Sequence, residues 1–215
     1  MHVIFDWDGT LARKDVAEEA SMRRGDSLGV AMDKEWMREA QKTHAHYKVN
    51  KDAIEKYTGI TDEKLKTIMM TNLFQLHYLA VVNEWKDKVF FEGIKDMLYT
   101  LRDEGYKISI ASTIREDIIK PSLNVLGVEK YFDSVHGNNA SLDYSKNDLV
   151  GMAVKNNGKA AYMVGDREED MVGGRSVGAK NIFVTWGQGE LNDKSLADYV
   201  VNSTEELVSI LKNER

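Results

Sequence analysis

The stretch from Val3 to Leu11 constrains the fold of this chain more than any other. The apolar, β-forming run Val3-Ile4-Phe5 leads directly into Asp6, and a second carboxylate follows at Asp8. An apolar run without alternation is typical of a strand that is covered on both faces, as in a parallel sheet. Ligands of open α/β sheets bind outside the carboxyl ends of the strands, which is where both carboxylates would lie.

Two carboxylates two residues apart repel each other unless a cation lies between them or one of them carries a proton. Both outcomes are typical of functional sites. A solvated Asp-Gly turn is the alternative interpretation for Asp8 and Gly9. That alternative does not explain a carboxylate directly after an apolar strand, and we therefore interpret Asp6 and Asp8 as functional residues.

The composition limits the class of protein. The chain has 215 residues, of which 42% are hydrophobic and 30% charged, as in an ordinary globular protein with a sizeable core. A formal net charge of -6 and a pI of about 5.5 argue against nucleic acid or an anionic membrane as the main partner. The absence of cysteine excludes disulfides, thiolate metal sites and cysteine nucleophiles. Since no leader and no membrane-spanning apolar run is present, we expect a cytoplasmic protein.

Residues 14–88 show helical periodicity and no convincing strand. Glycines interrupt the pattern, and we predict four helices. Thr61, which precedes two acidic residues, is the predicted N-cap of the last helix. We interpret residues 14–88 as an inserted all-helical domain and residues 1–13 and 89–215 as an α/β core.

Strand and helix patterns alternate from Phe90 onward, which predicts right-handed crossovers and a doubly wound parallel sheet of the α/β class. Pro121 is predicted in the first turn of its helix, because an interior proline would break the helix. The predicted helices include residues 93–104, 146–156 and 204–212, and the predicted strands of this region cover residues 107–111, 134–136, 160–164, 181–185 and 199–201.

Three further sequence features follow the first one in the order typical of a known family. A predicted strand ends in Ser112, and a later strand ends in Gly165-Asp166, with Asp170 nearby. Together with the run Asp6-Trp7-Asp8-Gly9-Thr10, these motifs resemble those of the haloacid dehalogenase superfamily. The family's remaining motif is a lysine after a strand, for which we take Lys146.

The lysine has two alternatives, Lys155 and Lys159, and Asn147 stands where the family has a proline. Members of the family carry a helical cap inserted after the first motif, and residues 14–88 resemble such a cap. Residues 186–189 resemble a loop found in phosphoglycolate-phosphatase-like members.

The resemblance implies a role for each motif residue. Asp6 is the expected nucleophile, which forms an aspartyl-phosphate, and Asp8 is the expected general acid and then base. Mg²⁺ is the expected cofactor. Its expected ligands are Asp6, the backbone carbonyl of Asp8 and Asp166, and Asp170 is expected either as a further ligand or as a hydrogen-bond acceptor next to the ligands. The expected phosphate-binding groups are the side chains of Ser112 and Lys146 and backbone donors at Trp7, Gly9 and Thr113.

The sequence therefore predicts a magnesium-dependent phosphatase that acts on a small phosphate monoester. A sugar-phosphate mutase of the same family is one alternative, and a partner-binding protein with an inert core is another. The expected partner is a small phosphorylated metabolite, with no nucleic acid and no membrane, and we expect a monomer or a homodimer.

Overall fold

A computed structural model describes residues 1–43, 45–139, 142–159, 162–187 and 189–213. Its strands are β1 (His2–Phe5), β2 (Lys107–Arg115), β3 (Ser134–Asn138), β4 (Tyr162–Gly165), β5 (Lys180–Val184) and β6 (Tyr199–Val201). Its α-helices are α1 (Lys14–Ser27), α2 (Lys34–Thr43), α3 (Ala45–Thr58), α4 (Glu63–Trp85), α5 (Ile94–Asp103), α6 (Glu116–Val125), α7 (Lys146–Asn157), α8 (Glu168–Ser176) and α9 (Thr204–Asn213).

The strands in the described part of the chain form one six-stranded sheet in the order β3-β2-β1-β4-β5-β6. Every neighbouring pair is parallel. β1 lies between β2 and β4, where Phe5 is level with Ile110 on one side and Val164 on the other. All four residues of β1 are buried, as its unbroken apolar pattern predicts. The predicted α/β class with a helical insertion is confirmed.

The chain divides into two compact units. One consists of Met1–Lys14 and Lys86–Arg215 and contains the sheet; the other is Asp15–Trp85, which contains almost all of α1 and the whole of α2 to α4. We call them the core unit and the helical unit. The helical unit has its own buried apolar interior, which includes Met37, Ile54, Met70 and Val81. No helix in the described residues has the combination of length and apolarity that crossing a membrane requires.

Several element boundaries differ from the predicted ones. Pro121 lies well inside α6 rather than in its first turn, so that prediction is wrong. The side chain of Pro121 is exposed. The N-cap of α4 is Asp62 and not Thr61, because an Asp62 carboxylate oxygen accepts a hydrogen bond from the Leu65 amide at 2.8 Å. The predicted strand 160–164 begins at two positions outside the described residues, and β4 starts at Tyr162.

Candidate active site

Three acidic side chains meet at the carboxyl ends of β1 and β4. Asp6 directly follows β1, Asp166 directly follows β4, and Asp170 lies in the first turn of α8. One carboxylate oxygen from each lies within 4.8 Å of the others. All three are buried, with 5%, 1% and 1% of their surface exposed. The Asp6 amide extends the ladder by donating to the Val164 carbonyl at 2.9 Å, which fixes the start of this loop against β4.

Lys146 joins this acidic cluster from the first residue of α7. Its Nζ donates to Asp6 Oδ1 at 2.6 Å and to the Ala111 carbonyl at 3.0 Å, and it lies 2.7 Å from Asp170 Oδ1. Burial by itself lowers the pKa of Lys146, but the negative charges of Asp6 and Asp170 outweigh burial and raise it. The ammonium therefore stays charged at neutral pH.

The position of Lys146 depends on the N-terminus of α7. The Ser145 side chain accepts a hydrogen bond from the Asp148 amide, while the Asp148 carboxylate accepts one from the Ser145 amide at 3.0 Å. This reciprocal pair is a capping box, which fixes where a helix starts. Because Lys146 is the first helical residue after the cap, the box also fixes the direction in which its side chain leaves the helix.

The electrostatics of the cluster favour a bound cation. Burial, and next the charge of Asp6, raise the pKa of Asp166. Burial also raises the pKa of Asp170, to about 7, with Asp6 adding to the rise and Lys146 opposing it. One ammonium does not balance three carboxylates. A buried set of hard oxygen ligands at this spacing fits a divalent cation such as Mg²⁺.

Two glycines let backbone lie directly against the acidic side chains. A Cβ placed on Gly9 would lie 2.4–2.6 Å from the Asp166 carboxylate, and one on Gly165 would lie 2.3 Å from Asp170 side-chain atoms. Gly9 also has φ of +90°, which L side chains rarely adopt. The glycine of the first motif is therefore required both by its backbone conformation and by the close approach of Asp166.

The loop after β5 holds Asp166 in place, a role that the sequence interpretation missed. The Gly189 amide donates to Asp166 Oδ2 at 2.8 Å, and Trp186 Nε1 donates to the Thr10 carbonyl at 3.0 Å. A Cβ on Gly187 would lie 2.3 Å from the Cβ of Asp166. The two glycines that flank position 188, which itself lies outside the described residues, were the signal for this close approach.

The remaining predicted site residues lie at two strand ends. Ser112 is buried near the carboxyl end of β2, and its Oγ accepts a hydrogen bond from the Ile114 amide at 3.4 Å. Thr113 is exposed on the same strand. Asp8 is half-buried in the loop after β1, and its carboxylate is not part of the three-acid cluster found among the described residues.

Gly9 and Trp7, the two residues of the first motif that were predicted to supply backbone donors, make different contacts within the loop. The Gly9 amide donates to the Ala12 carbonyl at 2.7 Å within the loop. The Trp7 side chain is fully buried and makes an edge-to-face contact with Phe90 at 6.1 Å between ring centroids. The Trp7 carbonyl accepts from the Leu11 and Ala12 amides, which closes the loop that carries Asp8.

Comparison with known proteins identifies the family. The model for haloacid dehalogenase-like hydrolases matches residues 3–184, a range that includes every motif residue described above. The chain belongs to the haloacid dehalogenase-like hydrolase family. The resemblance found in the motifs is thereby confirmed, and the chain is an enzyme of a hydrolase family.

Two relatives show how far the similarity of this family member extends. A putative pyrophosphatase PpaX from Caldanaerobacter subterraneus subsp. tengcongensis is 30% identical over 127 residues, covering 56% of this chain. The match spans only 58% of the length of that relative. The phosphoglycolate phosphatase of Aquifex aeolicus is 23% identical over 223 residues, covering 98% of this chain and 96% of that protein.

Solved structures share the fold of this hydrolase-family chain. A predicted phosphatase from Clostridium acetobutylicum superimposes with a TM-score of 0.70 at 23% identity and covers 99% of this chain and 98% of its own. A β-phosphoglucomutase from Clostridium difficile gives the same TM-score at 18% identity, covering 99% and 95%. At these identities the likeness is one of fold, which phosphatases and a mutase share.

Proposed function

We propose that the chain is a magnesium-dependent phosphatase that hydrolyses a small phosphate monoester through an aspartyl-phosphate on Asp6. The observation that carries the proposal is the position of Asp6, which is buried at a strand end, paired with Lys146 and close to Asp166 and Asp170. The names of the two relatives, a putative pyrophosphatase and a phosphoglycolate phosphatase, support hydrolysis of a small phosphorylated substrate. The proposed partner is a small phosphorylated metabolite, the proposed compartment is the cytoplasm, and the proposed assembly is a monomer or a homodimer.

In the first step the Asp6 carboxylate attacks phosphorus, and the bond between phosphorus and the leaving oxygen breaks. Lys146 donates to Oδ1 of Asp6, so we assign the attack to Oδ2. Asp8, protonated at this stage, gives its proton to the leaving alkoxide, and the products are an alcohol and the aspartyl-phosphate.

In the second step Asp8, now a carboxylate, takes a proton from a water molecule. The resulting hydroxide attacks phosphorus and releases inorganic phosphate, which regenerates the Asp6 carboxylate. Lys146 and the Ser112 hydroxyl bind the equatorial oxygens of the transferring phosphoryl group. Asp6, Asp166, Asp170 and the Asp8 carbonyl would hold Mg²⁺, which supplies positive charge against the phosphoryl oxygens when it is bound.

The test is release of inorganic phosphate from an aryl phosphate with Mg²⁺ present, for the wild type and for Asp6→Asn. We expect the variant to lose at least about a thousandfold in kcat, because the amide oxygen is a poor nucleophile. Circular dichroism of the variant checks that it is folded. Retention of full activity by folded Asp6→Asn would rule out the proposal.

Glu169→Gln is the matched control. Glu169 neighbours Asp170 in the same helical turn, but its side chain is 48% exposed and lies 3.7 Å from Arg167 rather than in the acidic cluster. The activity of Glu169→Gln should equal that of the wild type. Incubation with sugar phosphates, followed by analysis of the products, separates hydrolysis from the mutase alternative, which yields an isomer and no free phosphate.

We further propose that the helical unit selects the substrate, as the resemblance to capped family members implies. Assay of phosphate release from a panel of phosphorylated metabolites tests this part. Substitutions on the helical unit should change the order of preference within the panel while leaving turnover of the aryl phosphate within about threefold. A preference order that no such substitution alters would contradict it.

A further inference from the structure

Arg24 is a buried cation that the proposed chemistry does not use. It lies in α1 of the helical unit, and only 3% of its surface is exposed. Its Nε and Nη2 are both buried, and neither has a hydrogen-bond partner within the part of the chain that the structure describes. A guanidinium presents five fixed N–H donors, so the unpaired groups are a substantial part of its hydrogen-bonding capacity.

The two unpaired nitrogens form one edge of the guanidinium. Nε–H and one N–H of Nη2 point in the same direction, at a spacing that matches two oxygens of a carboxylate or a phosphate. Arg115 shows this edge filled within the same chain: its Nε donates to Asp117 Oδ1 at 2.9 Å and its Nη2 donates to Oδ2. On Arg24 the equivalent edge has no such acceptor among the described residues.

The neighbouring residue makes the contrast sharper. Arg23 donates from Nε to Glu19 at 2.9 Å, and from its two terminal nitrogens to Glu84 at 2.7 and 2.8 Å. These pairs lie at or near the surface, where a guanidinium needs a partner least. The buried arginine is thus the one of the two whose Nε and Nη2 lack an acceptor in the described residues.

Burial without an acceptor is unfavourable for a charged group. Burial lowers the pKa of Arg24 to about 10, so the side chain still carries its charge at neutral pH. Partial compensation comes from the Phe74 ring, whose centroid lies 5.6 Å from the Arg24 Cζ. A ring face offsets part of the lost hydration, but it supplies no hydrogen-bond acceptor to Nε or Nη2.

The surroundings of Arg24 include a second unpartnered polar atom. His77 Nε2 is buried and has no hydrogen-bond partner among the described residues. Burial, and then the charges of Arg23 and Arg24, lower the pKa of His77, which puts the imidazole within the field of these guanidinium groups. Tyr47, which also acts on Arg24, is 43% exposed, so the site is close to the protein surface.

We propose that Arg24 anchors an oxyanion-binding site within the helical unit. The ligand is a small molecule that carries a carboxylate or phosphate group, with one oxygen bound by Nε and another by Nη2. The bound anion supplies the acceptors and the charge that the described residues do not supply. This inference concerns binding alone, and it stands whether or not the core unit is a phosphatase.

The test is the melting temperature of the full chain in increasing inorganic phosphate, with sodium chloride added to hold ionic strength constant. The variants are Arg24→Met, which keeps much of the side-chain volume and removes the charge, and Arg23→Met as the matched control. Without phosphate, we expect Arg24→Met to melt at or above the wild-type temperature, because it removes a buried charge that the Phe74 ring compensates only in part. With phosphate, the wild type and Arg23→Met should gain stability, and Arg24→Met should lose at least about tenfold in apparent phosphate affinity.

Phosphate bound by Ser112 and Lys146 contributes equally in all three proteins, so the difference between them isolates Arg24. An equal phosphate-dependent shift in the wild type, Arg24→Met and Arg23→Met would overturn the proposal. If Arg24→Met does not fold, the Nε–H resonance of Arg24 in the wild-type protein decides the matter. It should move and saturate as phosphate is added, and a resonance that does not move would equally overturn the site.

Activity measurements distinguish two sources of the anion. Of the experiments on Arg24, only these measurements depend on the proposed function. If Arg24→Met raises KM for a phosphate monoester with a second anionic group, but not for an aryl phosphate, the anion is part of the substrate. A free carboxylate or phosphate that changes kcat in the wild type, but not in Arg24→Met, indicates a separate ligand. Both results support the site.

Discussion

A single methyl group decides how close Gly9 and Asp166 can lie. Gly9 has φ of +90°, and its missing Cβ would fall 2.4–2.6 Å from the Asp166 carboxylate. Gly127 offers an internal comparison, since its φ is +70° but an added Cβ would meet nothing within 4 Å. The two positions separate the cost of backbone strain from the cost of displacing the Asp166 carboxylate.

Both Gly9→Ala and Gly127→Ala should lose about 1–2 kcal/mol of stability through the left-handed backbone. Only Gly9→Ala should also displace Asp166, and we expect its affinity for Mg²⁺ to fall by at least about tenfold. Urea unfolding measures the first effect and calorimetric titration with Mg²⁺ the second. Equal affinities in the two variants would show that Asp166 tolerates the methyl group.

The sequence predicted most residues of the candidate site at this scale, because acids at strand ends with a glycine nearby leave a local pattern. Asp6 and Asp166 were selected as acids at strand ends, Asp170 and Lys146 by their place in the order of the family motifs, and the structure brings the four together. The contribution of the loop that contains Gly189 was missed. Its amide reaches Asp166 across 23 positions, so the glycines at 187 and 189 signal a close approach without indicating which residue is approached.

Polar side chains at the opposite, amino-terminal ends of three strands form a hydrogen-bonded chain. His2 Nε2 lies 2.8 Å from Ser109 Oγ, and Ser134 Oγ donates to Ser109 Oγ at 3.1 Å. Asn157 donates to both hydroxyls, at 3.0 and 2.6 Å. Ser109 therefore accepts two hydrogen bonds and donates its own proton to His2, whose Nδ1–H donates to the Gly158 carbonyl at 3.0 Å. This arrangement requires neutral His2.

Burial lowers the pKa of His2, although the Gly158 carbonyl and Asp133 oppose the shift, while Lys107 and the N-terminal amine reinforce it. Between the ordinary value of about 6.5 and this lowered pKa, the unfolded chain binds more protons than the folded chain. The stabilisation is thus complete above about pH 6.5 and is lost as the pH falls through the lowered pKa. The stability advantage of the wild type over His2→Gln should shrink between pH 7.5 and pH 5.

Urea unfolding of both proteins at each pH measures this difference. His136 also has a pKa lowered by burial, but it is present in both proteins, so most of its effect cancels. A difference between wild type and variant that stays constant over this pH range would show that His2 does not titrate as the network requires.

Element types followed from the periodicity of the sequence, whereas element ends did not. Thr61 and Asp62 are both good capping residues. Only the backbone conformation at the start of α4 selects the Asp62 carboxylate as the acceptor for the Leu65 amide. Pro121 in α6 shows the opposite problem, since a packed helix tolerates a residue that local preference excludes. Its neighbours Ser122 and Leu123 are buried, so tertiary packing holds the helix together around it.

The molecule contains two compact units, each with its own buried interior. Ile54 is buried in the helical unit, and Leu101 is buried in the core unit. Truncation of either side chain to alanine should lower the free energy of unfolding of its own unit by about 2–5 kcal/mol. If the two units open separately, each truncation weakens only the unit that contains it.

Hydrogen exchange followed by mass spectrometry tests this expectation. Ile54→Ala should lower protection of amides in residues 15–85 and leave those of the sheet near their wild-type rates. Leu101→Ala should give the reverse pattern. Equal loss of protection throughout the chain in both variants would indicate a single cooperative unit instead.

At this scale the sequence predicted the alternation of strands and helices and the helical insertion, since both are repeated over long stretches. It did not distinguish Arg24 from the other basic residues of the insertion. Depth below the surface and the lack of an acceptor are properties of the assembled helices and leave no mark in a local pattern.

The ion pair between Asp6 and Lys146 joins residues 140 positions apart. During synthesis the first of these acids therefore leaves the ribosome long before its ammonium partner, and the loop that steadies Asp166 emerges later still. Chains grow at about 5–20 residues per second, so an interval of roughly ten seconds or more separates Asp6 from the groups that complete its surroundings. The buried cluster around Asp6 is consequently incomplete until the loop after β5 has been made.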